Sequence, residues 1–402
     1  MRLINHLLVW TTLVLILTNC KTSQTSTAVS SPGTNVDTLI AGPMVAPLKI
    51  NYLITQKGDT LDSLFMEVDI AIDRLLPDTI NLMAVGDIMM GTKFPNESYL
   101  PGGNGEYLWN DTRDLLSSAD ITFGNLEGTV LDGEGIQKTC SNPKACYLFK
   151  MPTRLTPNLL EAGFDLISVA NNHANDFGKP GRLSTQRTLD SLDITYAGSV
   201  ELPHIITRIG HLKVGFVAFA PNVGTLTFYD EDRAKQIVAK LDSLSDIVIV
   251  SIHGGAEGSK NMHLTKEREF YYGEDRGNIY EFSHAMIDTG ADVILGHGPH
   301  VVRAIEVYHN KLIAYSLGNF LTYGRFNLRG VSGEAPLLEI NIDNEGNFLN
   351  GQIHSFYQSY SLGPELDSKK RAMRSIKKLT EEDFPENPII IDDKGIITYI
   401  QN

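Results

Sequence analysis

Five times along this chain a run of strand-forming apolar residues stops at a turn crowded with carboxylates, amides or imidazoles. The runs end at Asp87, at Asn125 and Glu127, at Asn172 and His173, at His253, and at His297 and His300. Buried strands that deliver polar residues at their ends are how α/β proteins assemble sites. The repetition therefore restricts the chain to α/β folds whose strand ends converge. The pattern is clearest in residues 287–322, where a helix end, Ile287-Asp288-Thr289-Gly290, leads into Val293-Ile294-Leu295 and stops at Gly296-His297-Gly298-Pro299-His300. Two glycines and a proline cannot continue a strand, so both imidazoles sit on a sharp turn. Lone histidines near turns are ordinary surface residues, but a spaced pair on a rigid turn suits a metal. A second run, Leu312-Ile313-Ala314-Tyr315, ends in Ser316-Leu317-Gly318-Asn319.

The other runs repeat the arrangement. Residues 80–85 read as a buried strand ending in Gly86-Asp87-Ile88-Met89, and residues 120–123 as a strand delivering Gly124-Asn125-Leu126-Glu127-Gly128. Asn125 and Glu127 point the same way if the extended geometry persists. Residues 165–170 form the third, followed by Asn171-Asn172-His173-Ala174-Asn175-Asp176-Phe177-Gly178, the most specific single motif in the chain. Residues 213–219 and 247–252 are further strands, the latter ending in His253-Gly254-Gly255-Ala256-Glu257-Gly258. Glycines there let a ligand approach the backbone. Helices are expected over 108–119, 155–162 with Gly163 as its stop, 183–192, 234–244, 278–288 and about 367–379. The charged, aromatic stretch 263–277 reads as a cap on the site or a surface loop. Residues 336–342 and 348–356 read as a hairpin, and 389–391 as a last strand.

A net charge of −14 with no Lys/Arg-rich run argues against nucleic acid as a partner. It also repels polyanions, so any anion site must be locally positive, through metals or a few Arg and Lys. Arg2 followed by the short apolar stretch 7–17 reads as a targeting segment. It ends in Leu17-Thr18-Asn19-Cys20, which resembles a bacterial lipobox with Cys20 as the lipidated residue; an ordinary secretory signal and an uncleaved anchor are the competing readings. Residues 21–47 then form a Ser/Thr-rich tether, and 48–79 an extension with a strand and a short helix but no visible chemistry. Export implies an oxidising compartment, so Cys140 and Cys146 read as a disulfide, with reduced thiols as the alternative and a zinc site less favoured.

Mixed carboxylate, amide and imidazole donors suit Mn, Fe or Zn. Two such ions about 3.5–4 Å apart can clamp an anionic oxygen and activate water. The pieces GDIMMG, GNLEGTV, SVANNHANDFG, HGGAEG, GADVILGHGPHV and IEVYHNKLIAYSLGNF together resemble the capsule-synthesis CapA family, the poly-γ-glutamate synthesis proteins, over about residues 80–322. That family is similar to the calcineurin-like metallophosphoesterases. The resemblance implies a four-layer α/β/β/α sandwich of two mixed sheets spanning about 80–330, with residues 331–402 packed on it. Position by position it implies Asp87 as a ligand of the first metal and Glu127 as the bridging carboxylate. Asn172 and His253 would ligate the second metal, with His297 and His300 completing the pair. His173 would protonate a leaving group, and Asn125, Asn171, Asn319 and Glu257 would line the pocket. Departures are visible too: Met89 stands where a phosphoesterase carries His, Glu127 replaces a bridging Asp, and His253-Gly254-Gly255 and His297-Gly298-Pro299-His300 stand for HWG and HHPH.

The function implied is a membrane-anchored metal-dependent hydrolase acting on extracellular or capsular polymer, at a phosphoester or a γ-glutamyl amide. Its partners would be an anionic polymer or small phosphoester, capsule synthase or export proteins, and the membrane. The competing class is a non-catalytic accessory subunit that binds polymer or synthase during export. A third reading is a metal-stabilised surface lipoprotein.

Overall fold

The computed structural model describes residues 79–139, 146–210, 212–360 and 362–400. The expected targeting segment with Cys20, the expected tether, the extension up to residue 78 and Cys140 lie outside the described residues. Cys146 is disulfide-bonded.

Two mixed sheets carry the site. The first runs in the order Ile389–Ile391, Ile396–Tyr399, Phe348–Gln358, Glu334–Asp343, Thr79–Met89, Ile121–Leu126, Leu166–Ser168, Thr195–Ala197. Asn319–Thr322 joins it as a parallel partner of Thr79–Met89. The second runs Ile305–Tyr308, Lys311–Ala314, Val293–His297, Ile247–His253, Leu212–Phe219, His204–Ile209. In the first sheet Thr79–Met89 divides a parallel half, through Ile121–Leu126, Leu166–Ser168 and Thr195–Ala197, from an antiparallel half that begins with Glu334–Asp343 and Phe348–Gln358; in the second the central strands are parallel and the two edge strands antiparallel. Parallel central strands must be buried on both faces, which is why Ile247–His253 is buried at every position.

Side-chain alternation makes the layers. From Thr79–Met89, Ile80, Leu82 and Ala84 join a core with Val214, Phe216, Ile249 and Ile294 of the second sheet. Met83 and Val85 face the other way, onto Leu116, Leu159 and Leu189 from helical segments. On the outer side of the second sheet, Glu231–Asp242 contributes Val238 and Leu241, and Ile279–Ile287 contributes Phe282 and Met286. The result is the expected α/β/β/α sandwich. Both of these outer helices begin on a side-chain cap: Asp230 accepts from the Arg233 amide and Asn278 from the Glu281 amide.

Several expectations need correction. The helix over 108–119 is broken into a 3-10 turn, Glu106–Trp109, and a one-turn helix, Arg113–Leu116. Between them the Thr112 hydroxyl donates to the Trp109 carbonyl, an alternative to helical bonding. Strand Thr79–Met89 does not stop at Gly86; it runs through Asp87 with a register irregularity just after it. Stretch 263–277 contains a two-stranded hairpin, Glu269–Tyr271 and Glu274–Gly277. Strands Thr195–Ala197, His204–Ile209, Ile305–Tyr308 and Ile396–Tyr399 were not expected; they are short or alternate with exposed residues. Among the described residues no helix is long and apolar enough to cross a membrane.

Candidate metal centre

Strand register brings the donors together. Asp87 is the backbone partner of Asn125 on one side and of Asn319 on the other. In the second sheet, His253 is the partner of His297. The ends of both sheets thus meet around Asp87, which is fully buried. Two glycines permit the approach. A Cβ on Gly86 would lie 2.1 Å from the Gly318 carbonyl oxygen, and the Asp87 amide donates to that same oxygen at 2.9 Å. Gly298, at φ +111°, would place a Cβ 2.7 Å from the Gly254 carbonyl oxygen. His300 follows at φ +56°, a left-handed conformation that only surrounding packing sustains.

Asp87 is the hub. Its Oδ2 lies 2.9 Å from His300 Nδ1, and its Oδ1 lies 3.3 Å from His297 Nδ1. The Asn125 amide donates to Oδ1 at 2.8 Å. His300 Nε2 is 3.5 Å from Glu127 Oε1, and His173 Nε2 is 3.9 Å from the same oxygen. Asp87, Glu127 and His300 can each place one ligand atom within 4.8 Å of the others. Around them, both nitrogens of His253, Nε2 of His297, both oxygens of Glu127 and the side-chain oxygen of Asn319 are buried without a hydrogen-bond partner, and so is Asn172 Oδ1 in the segment leading into His173. Buried polar atoms are nearly always paired, so an unpaired set of oxygens and imidazole nitrogens fits a divalent cation. These residues would hold it.

The charges agree. Burial raises the Asp87 carboxyl, but His297 and His300 beside it outweigh that and hold it well below the usual range. Glu127 is pushed well above its ordinary value, by burial first and then by the Asp87 charge. His300 is lifted to about 10 against the effect of burial, by Glu127 and Asp87. Burial drives His253 well down, with His300, His297 and Arg276 adding to it. The metal-free cluster therefore holds protons that a cation would displace. His173 is also lowered, chiefly by burial, so its imidazole is neutral at rest rather than a ready acid. Its Nδ1 is 2.8 Å from Asp176 Oδ2. Phe149 covers the His173 ring at a centroid distance of 4.1 Å, and Phe326 stacks on Phe149 at 4.9 Å while lying 5.5 Å from His300. This wall lowers the local dielectric.

Of the residues expected to line the pocket, Asn125, Asn171 and Glu257 spend their side chains on neighbouring protein groups, whereas Asn319 keeps its Oδ1 unpaired. Asn171 donates to Asn125 Oδ1 at 3.2 Å and to the Leu126 carbonyl at 2.9 Å, and it caps the His173 amide through its own Oδ1 at 3.1 Å. Asn319 donates to the His300 and Ser332 carbonyls, both at 3.1 Å. Glu257 is paired to Arg276 at 2.7 Å. Met89 is fully buried and adds no donor where a histidine is expected.

Sequence reading placed Asp176 in the Asn171–Gly178 motif without giving it a role, and missed Lys138, Arg276, and the pair Arg303 and Glu269. Only Asp176 carried a signal, its spacing of three from His173. Arg303 is fully buried and donates to Glu269 at 2.8 and 2.7 Å, to the Asn261 carbonyl at 2.9 Å and to the Ala256 carbonyl at 3.2 Å. Glu269 in turn accepts the Ala256 amide at 2.7 Å. This fork ties the loop after His253 to the covering hairpin and the turn carrying His300.

Fold and site together define an α/β/β/α protein with a buried centre suited to metal. The profile of the family described as "Bacterial capsule synthesis protein PGA_cap" matches residues 81–323, and the chain belongs to that family. It is 30% identical over 256 residues to the capsule biosynthesis protein CapA of Bacillus anthracis, covering 61% of this chain and 60% of that protein. It is 27% identical over 306 residues to the PGA biosynthesis protein CapA of Bacillus subtilis, covering 72% and 73%. A probable polyglutamine synthesis accessory protein of Mycobacterium tuberculosis is 24% identical over 302 residues, covering 60% and 74%. The chain thus spans less than two thirds of the Bacillus anthracis relative.

Proposed function

We propose that the chain is a membrane-anchored, metal-dependent hydrolase in capsule or poly-γ-glutamate synthesis, acting on an extracellular polymer at a phosphoester or a γ-glutamyl amide. The observation that carries this is the buried set of unpaired oxygens and imidazole nitrogens on Glu127, Asn172, His253 and His297 beside the Asp87–His300 pair. Two divalent ions, Mn, Fe or Zn, would be held there. A divalent ion lowers the pKa of bound water and polarises the attacked centre.

The side chains supply the rest. Asn125 and His300 fix the Asp87 carboxylate, and Asn171 fixes the segment carrying His173. His173, neutral at rest with Nδ1 on Asp176, takes the proton of the attacking water on Nε2 and then delivers it to the departing oxygen or nitrogen. Its acid role thus follows a base role. The Phe149–Phe326 wall keeps bulk water from that transfer.

One observation favours the accessory-subunit reading: Met89 leaves the first metal position one donor short. The two are separated by metal analysis of the purified chain, with hydrolysis of bis-p-nitrophenyl phosphate and of a γ-glutamyl oligopeptide measured separately. The expected result is two bound metal equivalents and cleavage of one probe, reduced at least ~100-fold by His173→Gln. A fully metal-loaded chain that cleaves neither is an accessory protein.

For localisation, Cys20 is the proposed lipid attachment point. Cys20→Ser is expected to move the protein from the membrane to the soluble fraction, and unchanged membrane association would remove the anchor.

A further inference from the structure

The cations around the proposed centre are not equally occupied. Arg303 spends Nε, Nη1 and Nη2 on Glu269 and two main-chain carbonyls. Lys138 lies 2.5 Å from Asp176 Oδ1 and donates to the Asn172 carbonyl at 3.1 Å. Arg276 differs. It is 4% exposed, and its Nη2 lies 2.7 Å from Glu257 and 3.2 Å from Glu274. Its Nε and Nη1 are buried with no partner. We propose that Arg276 is a substrate-binding residue whose two unspent donors receive an anionic oxygen of the substrate, phosphoryl or carboxylate, at the edge of the metal centre. The proposal rests on the reading of that centre as the place where substrate is held.

Backbone bonds put Arg276 there. Its carbonyl accepts the Gly255 amide at 2.8 Å, two residues after His253, and a Cβ on Gly254 would lie 3.0 Å from that same oxygen. The loop held in this way runs against the turn that carries His300. The Gly254 amide donates to the His297 carbonyl and the Gly258 amide to the Pro299 carbonyl, both at 2.9 Å. After burial, the charges felt by the centre include Glu257 at Glu127 and His300, and Arg276 at His253. The chain's net charge of −14 and the carboxylates Asp87, Glu127 and Glu257 repel an anion. A metal offsets the first two; Arg276 offsets the third and still has two donors over. A guanidinium is weakly hydrated and charged at every working pH, so it suits a dry site that waits for an anion. Buried donors are nearly always paired, and two left over on one side chain call for an acceptor brought from outside. The Glu274 side chain is 64% exposed, so an entering anion competes at Nη2 with a solvated carboxylate rather than with a packed one.

Inorganic phosphate and γ-glutamylglutamate are the probes, titrated by calorimetry into the full chain loaded with Mn; they distinguish a phosphoryl from a carboxylate oxygen. Wild type is expected to bind at least one of them. Arg276→Met is expected to bind that probe roughly 10–100-fold more weakly, the loss that one hydrogen bond to a charged group implies. This variant leaves Glu257 without its partner, and a bare carboxylate by itself repels anions. The double variant, Arg276→Met with Glu257→Gln, removes both charges and is expected to stay as weak, with the Mn stoichiometry of wild type. Wild-type affinity in either variant, loss of Mn from the double variant, or binding of neither probe by wild type overturns the proposal. Because binding needs no turnover, the two readings separate. Arg276-dependent anion binding by a chain that cleaves nothing upholds this role and removes the hydrolase. Cleavage by a chain whose anion affinity is indifferent to Arg276→Met does the reverse.

Discussion

Arg303→Met is expected to lower the free energy of unfolding by about 3–5 kcal/mol, the cost of breaking a buried ion pair by removing one partner. Arg303 is wholly inaccessible and makes two bonds to the Glu269 carboxylate and two to main-chain carbonyls. Methionine keeps most of the stem, so little of the loss comes from a cavity. What remains is a Glu269 carboxylate that is 7% exposed with only the Ala256 amide to stabilise it. Replacing both partners, Arg303→Met with Glu269→Leu, is expected to recover most of the loss, since apolar pairs commonly substitute for buried ion pairs at no net cost. Urea melts of the metal-free chain measure both. A loss under ~1 kcal/mol for the single variant would show that water reaches the pair and that the fork is not a structural tie.

The second large effect is linked to metal. His253 is fully buried with neither nitrogen paired, so in the metal-free chain it contributes packing but no hydrogen bond. His253→Ala is therefore expected to leave the metal-free melt close to wild type, the cavity being offset by removal of two unsatisfied nitrogens. Added Mn at about a hundred times its dissociation constant should stabilise wild type by roughly 2.7 kcal/mol, and the variant by far less at the same concentration. An equal metal-induced gain in both proteins would take His253 out of the ligand set. Because the comparison is of stabilities, it holds whether the chain is a hydrolase or an accessory protein.

Local pattern reveals elements well where burial is uniform. Strands at 247–252 and 293–295 are apolar runs, broken only by Ser251, and were legible, with His253 and His297 added at their ends in the structure. Helix 108–119 was misread because Asn110, Asp111 and Thr112 offer the backbone alternative partners that apolar periodicity does not register. Edge strands such as His204–Ile209 alternate weakly, so only their pairing with Leu212–Phe219 makes them strands.

In the site, the residue types of the candidate donors were readable from the strand ends; which of them hydrogen-bond to one another was not. Asn125 and Asn171 looked like pocket residues, and the fold turns both inward as struts, because each faces a buried acceptor that must be satisfied. Lys138 and Arg303 carry no motif, and their partners lie 38 and 34 residues away along the chain.

By itself, then, the sequence determined which kinds of side chain stand at the ends of which strands, since apolar runs and glycine turns act over a few residues. Only the tertiary structure decided which of them meet. Asp87 and His300 are 213 positions apart, and the register that sets them 2.9 Å from each other belongs to two sheets packed face to face. No local preference encodes such a register; it arises when both sheets bury their inner faces together.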